Sequence, residues 1–269
     1  MKILKVLGLL LFVNSICKAQ VVSDRLGFIS STSILEDNGF QIEAGHTYNG
    51  TNYSLLNLSS ATGAVLRKGV NNMLEVQIRL PEYYTDGVNP TTGLTSVMAK
   101  IGFARTAKVK CSVLGGVGIA AFSGGVGLYM GMSIPAQLEL TQALRLRAEP
   151  SFNLLILPSR ESAGISLAIQ QDIKDAAKVE VGVNSRFILI QRKEFGKERI
   201  FSEVLYGTLA TQINLTKFIA LDAAVQLPLA IGENQPAIGN GMVIKGGLVI
   251  SFAGKPWREK KVKIEPEVY

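Results

Sequence analysis

The chain has 269 residues, a formal net charge of +7 and 47% hydrophobic residues, but a single histidine and two cysteines. Three of the excess positive charges (Lys2, Lys5 and Lys18) fall in residues 1–20, and no basic run is interleaved with aromatics, so the balance argues against nucleic-acid binding. With His46 and, past the leader, Cys111 as the only such groups, the sequence supplies neither a zinc ligand set nor an intramolecular disulfide.

Residues 1–20 read as a secretory signal peptide: a basic start, the apolar run Val6 to Val13, and small residues for cleavage near Ala19 or Gln20. Residues 21–38 carry no strand period. They are expected either to tuck into a lumen as a small plug or to form a disordered periplasmic leader. From Phe40 the pattern changes to alternation, the period-two signature of strands. Expected strands are Phe40 to Tyr48, Ala64 to Lys68, Met73 to Leu80, Thr95 to Arg105, Val109 to Ala120, Gly127 to Leu138 with a bulge at Pro135, Leu144 to Leu154, Gly164 to Gln171, Ala177 to Leu189, Phe201 to Ile213, Phe218 to Leu229 and Met242 to Phe252. Connections alternate long and short. Asn49 to Gly63, Pro81 to Leu94, Ile190 to Ile200 and Ala230 to Gly241 read as long loops. Gly69 to Asn72, Thr106 to Lys108, Glu139 to Ala143, Asp172 to Ala176 and Asn214 to Lys217 read as tight turns.

An even number of amphipathic strands with short turns at one end and long loops at the other predicts an all-β fold, an antiparallel transmembrane β-barrel of about twelve strands. The barrel is expected over residues 39–252, followed by a periplasmic charged tail at 253–269. The last strand alternates cleanly, and Lys245, Gly247, Ile250 and Phe252 resemble the closing-strand signal read by the outer-membrane barrel assembly machinery. About ten such residues cross a bilayer when tilted.

If the apolar faces meet outer-membrane lipid, the polar faces line the lumen. The candidate lumen residues are Glu75, Arg79, Lys100, Arg145, Arg147, Glu149, Glu180 and Arg186, with Glu43, Lys110, Lys178, Asp222 and Lys245 in the same phase. They are expected either to pair as a salt-bridge lattice filling a narrow barrel or to line a water-filled path. His46 shares the outward phase beside Tyr48 and reads as a membrane-interface residue. As a catalyst it would need a serine such as Ser54, Ser59 or Ser60 and an orienting acid. The glycine pairs at Gly115 to Gly118 and Gly124 to Gly127 lack the following helix of a phosphate cradle and read as positions that relieve crowding or curve the wall. No cofactor or catalytic residue is expected.

Ser23-Asp24-Arg25, the run Leu35-Glu36-Asp37-Asn38-Gly39-Phe40-Gln41-Ile42-Glu43-Ala44-Gly45, and the hairpin Val65-Leu66-Arg67-Lys68-Gly69-Val70 with Asn72-Met73-Leu74-Glu75-Val76-Gln77-Ile78 resemble a family of outer-membrane transporter barrels named after the MetA pathway of phenol degradation. Gly93-Leu94 and Lys100 fit the same pattern, and Lys68 departs from it where that turn commonly carries Tyr. The resemblance implies an outer-membrane channel for small molecules, of hydrophobic or aromatic character, without specifying the solute. Alternatives are a closed structural barrel whose extracellular loops bind partners, and a lipid-active outer-membrane enzyme.

Overall fold

The computed structural model describes residues 29–51, 54–80, 83–85, 90–92, 94–106, 108–122, 125–156, 160–173, 176–192, 198–231 and 242–252. The stretch expected as a signal peptide (1–20), the first part of the N-terminal segment (21–28) and the tail at 253–269 lie outside them. The described strands are β1 (Phe40–Thr51), β2 (Ser54–Gly69), β3 (Leu74–Arg79), β4 (Tyr83–Thr85), β5 (Pro90–Thr92), β6 (Leu94–Arg105), β7 (Val109–Phe122), β8 (Gly125–Ser133), β9 (Ala136–Glu139), β10 (Leu144–Leu155), β11 (Arg160–Ile173), β12 (Ala177–Arg192), β13 (Glu198–Asn214), β14 (Ile219–Ile231) and β15 (Val243–Phe252).

Every described pairing is antiparallel, and β1 closes the sheet by pairing with both β2 and β15. Three staves are interrupted. β3 and β4 both pair with β2, β5 leads into β6, and β8 and β9 both pair with β7 and β10 across a break at Ile134–Pro135. The result is a closed barrel of 12 strands. Closure removes the sheet edges, so every stave satisfies its backbone against two neighbours, as a membrane demands.

The barrel is inverted relative to a soluble protein. Its largest fully buried side chains include Arg67, Lys100, Gln41, Gln77, Glu43 and Glu75, whereas Phe103, Leu128, Val181 and Phe252 stand on the outside. Apolar clusters inside are small, such as Ala220 with Val249. The sequence phases therefore hold: the polar face of each alternating strand points inward and the apolar face outward.

The tight turns share one local device. The side-chain oxygen of Asn71 accepts the amides of Met73 and Leu74 at 2.8 and 2.9 Å. Thr141 does the same for Ala143 and Leu144, and Thr216 for Phe218 and Ile219. Thr106 accepts from Val109 at 2.9 Å. Asn and Thr at these positions satisfy turn amides that no strand can reach.

Two of the expected loops are corrected. Asn49 to Gly63 is mostly strand, because β1 and β2 form one long hairpin with only residues 52–53 between them. Pro81 to Leu94 contains the short pair β4 and β5. The expected bulge at Pro135 is a stave break, where the Ser112 amide donates to the Pro135 carbonyl. Gly116 and Gly118 relieve crowding between β7 and β6: a Cβ on Gly116 would lie 2.6 Å from Met98 Cα, and one on Gly118 2.6 Å from Ser96 Cβ.

Candidate functional site

The lumen carries two buried charge clusters on different walls. The first joins β1, β2, β3 and β6. Arg67 donates to Glu43 at 2.8 Å and to both oxygens of Glu75 at 2.7 and 2.9 Å, with Lys100 4.0 Å from Glu75. All four side chains are fully buried. The amides of Gln41 and Gln77 complete the carboxylate shells of Glu43 and Glu75 at 2.7 and 2.9 Å.

The second cluster joins β10, β11 and β12. Arg147 pairs with Glu180 and donates to Gln170 at 3.2 Å, while Glu149 lies two residues further along the same inward face. At the short-turn rim, Arg145 pairs with Asp172 at 2.6 Å and approaches Glu139, which also holds Lys110 at 2.8 Å.

Of the residues expected in the lumen, Glu75 and Lys100 thus meet in the first cluster, Arg147, Glu149 and Glu180 in the second, and Arg145 at the rim. Arg79 sits apart at the far end of β3, opposite Val65 and Ser96, with its Nε buried and lacking a hydrogen-bond partner. Arg186 is in register with Gly164 and Val204 on β12, but its side chain lies outside the described residues. The centre of the first cluster, Arg67, was not among the expected lumen residues. The short apolar-basic run Leu66-Arg67-Lys68 hides its phase, and only the pairing of Arg67 with Gln41 across β1 exposes it.

Residues 29–38 bridge the two clusters. Ser30 donates to Glu149 through both its amide (2.5 Å) and its hydroxyl (2.9 Å). Arg147 donates to the carbonyls of Ile29 and Ser30 at 3.0 and 2.9 Å. Further along, the Leu35 amide donates to Glu75 at 2.9 Å and Lys100 reaches the Ser33 carbonyl at 3.4 Å. Four residues separate Ser30 from Leu35, which places these anchors at most roughly 17 Å apart, and the segment runs as a chord from the β10 wall to the β3–β6 wall.

A turn returns the chain to the barrel. Gly39 donates to the Glu36 carbonyl at 2.7 Å, and Asn38 adopts a φ of 60°, a left-handed conformation that Asn tolerates. The strap packs against Gly69, where an added Cβ would lie 2.7 Å from the Leu35 carbonyl oxygen and overlap that of Glu36.

His46 lies on the outward face of β1. Its Nδ1 is 2.5 Å from the Thr62 hydroxyl, and its ring meets Tyr48 edge-on at 4.3 Å between centroids. Among the described residues its partners are Thr62 and Tyr48 rather than an acid, and Ser54, Ser59 and Ser60 lie where side chains are not described.

No protein-family model matches the chain, and no curated protein matches it. Solved structures do. An outer-membrane channel from Pseudomonas putida F1 superposes with a TM-score of 0.58 at 11% identity, covering 87% of this chain and 100% of that one. The NanC porin gives 0.52 at 10% identity, covering 79% and 100%. The KdgM porin, in complex with disordered oligogalacturonate, gives 0.50 at 8% identity, covering 79% and 99%. The chain has the fold of Gram-negative outer-membrane β-barrels. At these identities the likeness concerns architecture alone.

Proposed function

We propose that the chain is an outer-membrane channel for passive passage of small solutes, with residues 29–38 narrowing its lumen from the periplasmic side. The observation that carries this reading is a closed barrel with a charged interior, crossed by a strap that is tied to the wall through its own backbone. A barrel built only as a wall fills its interior with side chains. Here a separate segment does the filling, and its removal leaves polar walls for water and solute.

The short turns mark the periplasmic end by analogy with the general barrel pattern, and the strap enters from that end because β1 begins there. The structural neighbours that carry the fold are channels and porins, which favours passage over catalysis.

The test is single-channel conductance of the refolded mature chain in a planar bilayer, beside Gly69→Val. The substitution drives a side chain into the Glu36 and Leu35 carbonyls and displaces the strap. Discrete steps, several-fold larger in Gly69→Val, are expected. Silent bilayers from both proteins, with heat-modifiable migration proving them folded, would overturn the channel and favour a closed barrel whose loops bind partners.

A further inference from the structure

We infer that Arg147 and Glu149 form the lumen's ligand-binding point for zwitterionic solutes of the amino-acid or short-peptide class, and that Ile29 and Ser30 of the same chain are its resident competitor. The inference rests on the channel reading and names the solute class for it.

Arg147 and Glu149 share the inward face of β10, two residues apart, so their backbones are spaced by roughly 6.6 Å. They are 3% and 6% exposed. Together they read a single stretch of main chain. Arg147 donates from one nitrogen to two successive carbonyls, those of Ile29 and Ser30. Glu149 accepts both donors of Ser30. The arrangement is held in advance: the other guanidinium nitrogen is committed to Glu180 and Gln170, which fixes the plane of the fork and leaves one edge for the strap.

What the strap offers this pair is weaker than what a free solute could offer. Its carbonyls and its amide are uncharged. An amino acid or short peptide carries a carboxylate for Arg147 and an ammonium for Glu149. The strap's bonds to these two groups already have one ionised partner; a solute whose own groups are charged adds Coulombic attraction to them. Glu149, whose described donors come from Ser30, takes the ammonium, and Arg147, steadied by Glu180 and Gln170, turns its remaining edge to the carboxylate, so a solute with both charges engages both groups at once. The strap is held from its other end by the turn at Glu36 to Gly39 and its close approach to Gly69, so a side chain at position 69 loosens that hold and frees the segment upstream.

The test uses triglycine as the zwitterionic probe and N-acetyl-triglycine amide as its uncharged counterpart. Both are titrated by calorimetry into the folded full-length mature barrel in detergent micelles. Triglycine is expected to bind Gly69→Val about tenfold more tightly than the capped peptide, a difference of about 1.4 kcal/mol. Wild type should bind triglycine more weakly than Gly69→Val, because the strap competes. Glu149→Gln in the Gly69→Val background should abolish the preference for the charged probe while the protein keeps its heat-modifiable fold.

Equal binding of the two probes, or an unchanged preference in the Glu149→Gln variant, would overturn the inference. So would no binding of triglycine to the strap-displaced protein. Calorimetry needs no current. A silent bilayer with charge-selective binding would therefore refute the channel reading alone, whereas conductance without selective binding would refute the binding site alone.

Discussion

Replacing Arg67 by Met tests whether the lumen charges form a dry lattice or face water. Arg67 pairs with Glu43, and it shares Glu75 with Lys100, which remains 4.0 Å away. Removing it therefore leaves Glu75 partly compensated, by Lys100, the Gln77 amide and the Leu35 amide. Glu43 keeps the Gln41 amide. Breaking a buried pair by deleting one partner costs about 3–5 kcal/mol, since the surviving ion stays desolvated. With a urea dependence of about 2–3 kcal/mol per molar, the unfolding midpoint should fall by about 1–2 M. The assay is urea unfolding of the refolded barrel, followed by far-ultraviolet circular dichroism and by the heat-modifiable gel band. The companion is Arg67→Met with Glu43→Gln, which neutralises the stranded carboxylate and keeps the Glu75–Lys100 pair. It should recover most of the loss. A single variant that loses less than about 1 kcal/mol, the range of solvent-exposed pairs, would refute the dry lattice and place water around Arg67.

Two further perturbations test the wall and its assembly. Val181 stands outward near the middle of the bilayer-crossing part of β12, 57% exposed, so Val181→Arg should cost about 2–4 kcal/mol in the same urea assay, and a change within error would show that β12 does not face lipid there. Phe252 ends the closing strand and packs on Phe40 with ring centroids 6.1 Å apart. Phe252→Ala should lower the fraction of folded, heat-modifiable barrel recovered from outer membranes while leaving refolding in detergent nearly unchanged. Equal losses in both would assign Phe252 to packing rather than to the assembly signal.

The staves were legible in the sequence because lipid on one side and a polar lumen on the other impose a strict period of two. Val179, Val181 and Val183 against Lys178, Glu180 and Gly182 fix the phase of β12 without any knowledge of its neighbours. The stretch Asn49 to Gly63 was missed because the run Ser54-Leu55-Leu56-Asn57-Leu58-Ser59 carries no alternation, although its backbone belongs to β2 and pairs with β1 at Ser54, Leu58 and Ser59. The ion pairs were not legible for a different reason. Arg67 lies directly opposite Gln41 and Gln77, yet bonds diagonally to Glu43 and Glu75. Arg147 reaches Glu180 across the whole of β11. Alternation gives the face on which a charge sits; which charge it meets depends on stagger between staves, and no single strand carries that. The segment at 29–38 has no period because its partners are side chains on the wall rather than a neighbouring strand.

That dependence of the strap on the wall runs in both directions. A segment without regular pairing brings amides and carbonyls into a narrow interior, and each needs a partner. Glu149, Arg147, Glu75 and Lys100 supply them, and in return they receive hydrogen bonds that a bare, poorly hydrated lumen would not provide. The two anchors are unequal, however. At the β3–β6 wall, Glu75 already accepts from Arg67 and lies 4.0 Å from Lys100, so the strap adds only the Leu35 amide and the Ser33 carbonyl to a network that stands without them. At the β10 wall, Glu149 takes two donors from Ser30, and the strap supplies its principal described partner. Withdrawal of the strap from the β10 wall therefore exposes Glu149 first. Water entering from the periplasmic mouth can solvate that carboxylate, whereas Arg67 stays enclosed by its own partners. Opening the lumen should consequently cost much less than breaking the first cluster, and strap displacement by Gly69→Val should leave the urea midpoint far closer to wild type than Arg67→Met does.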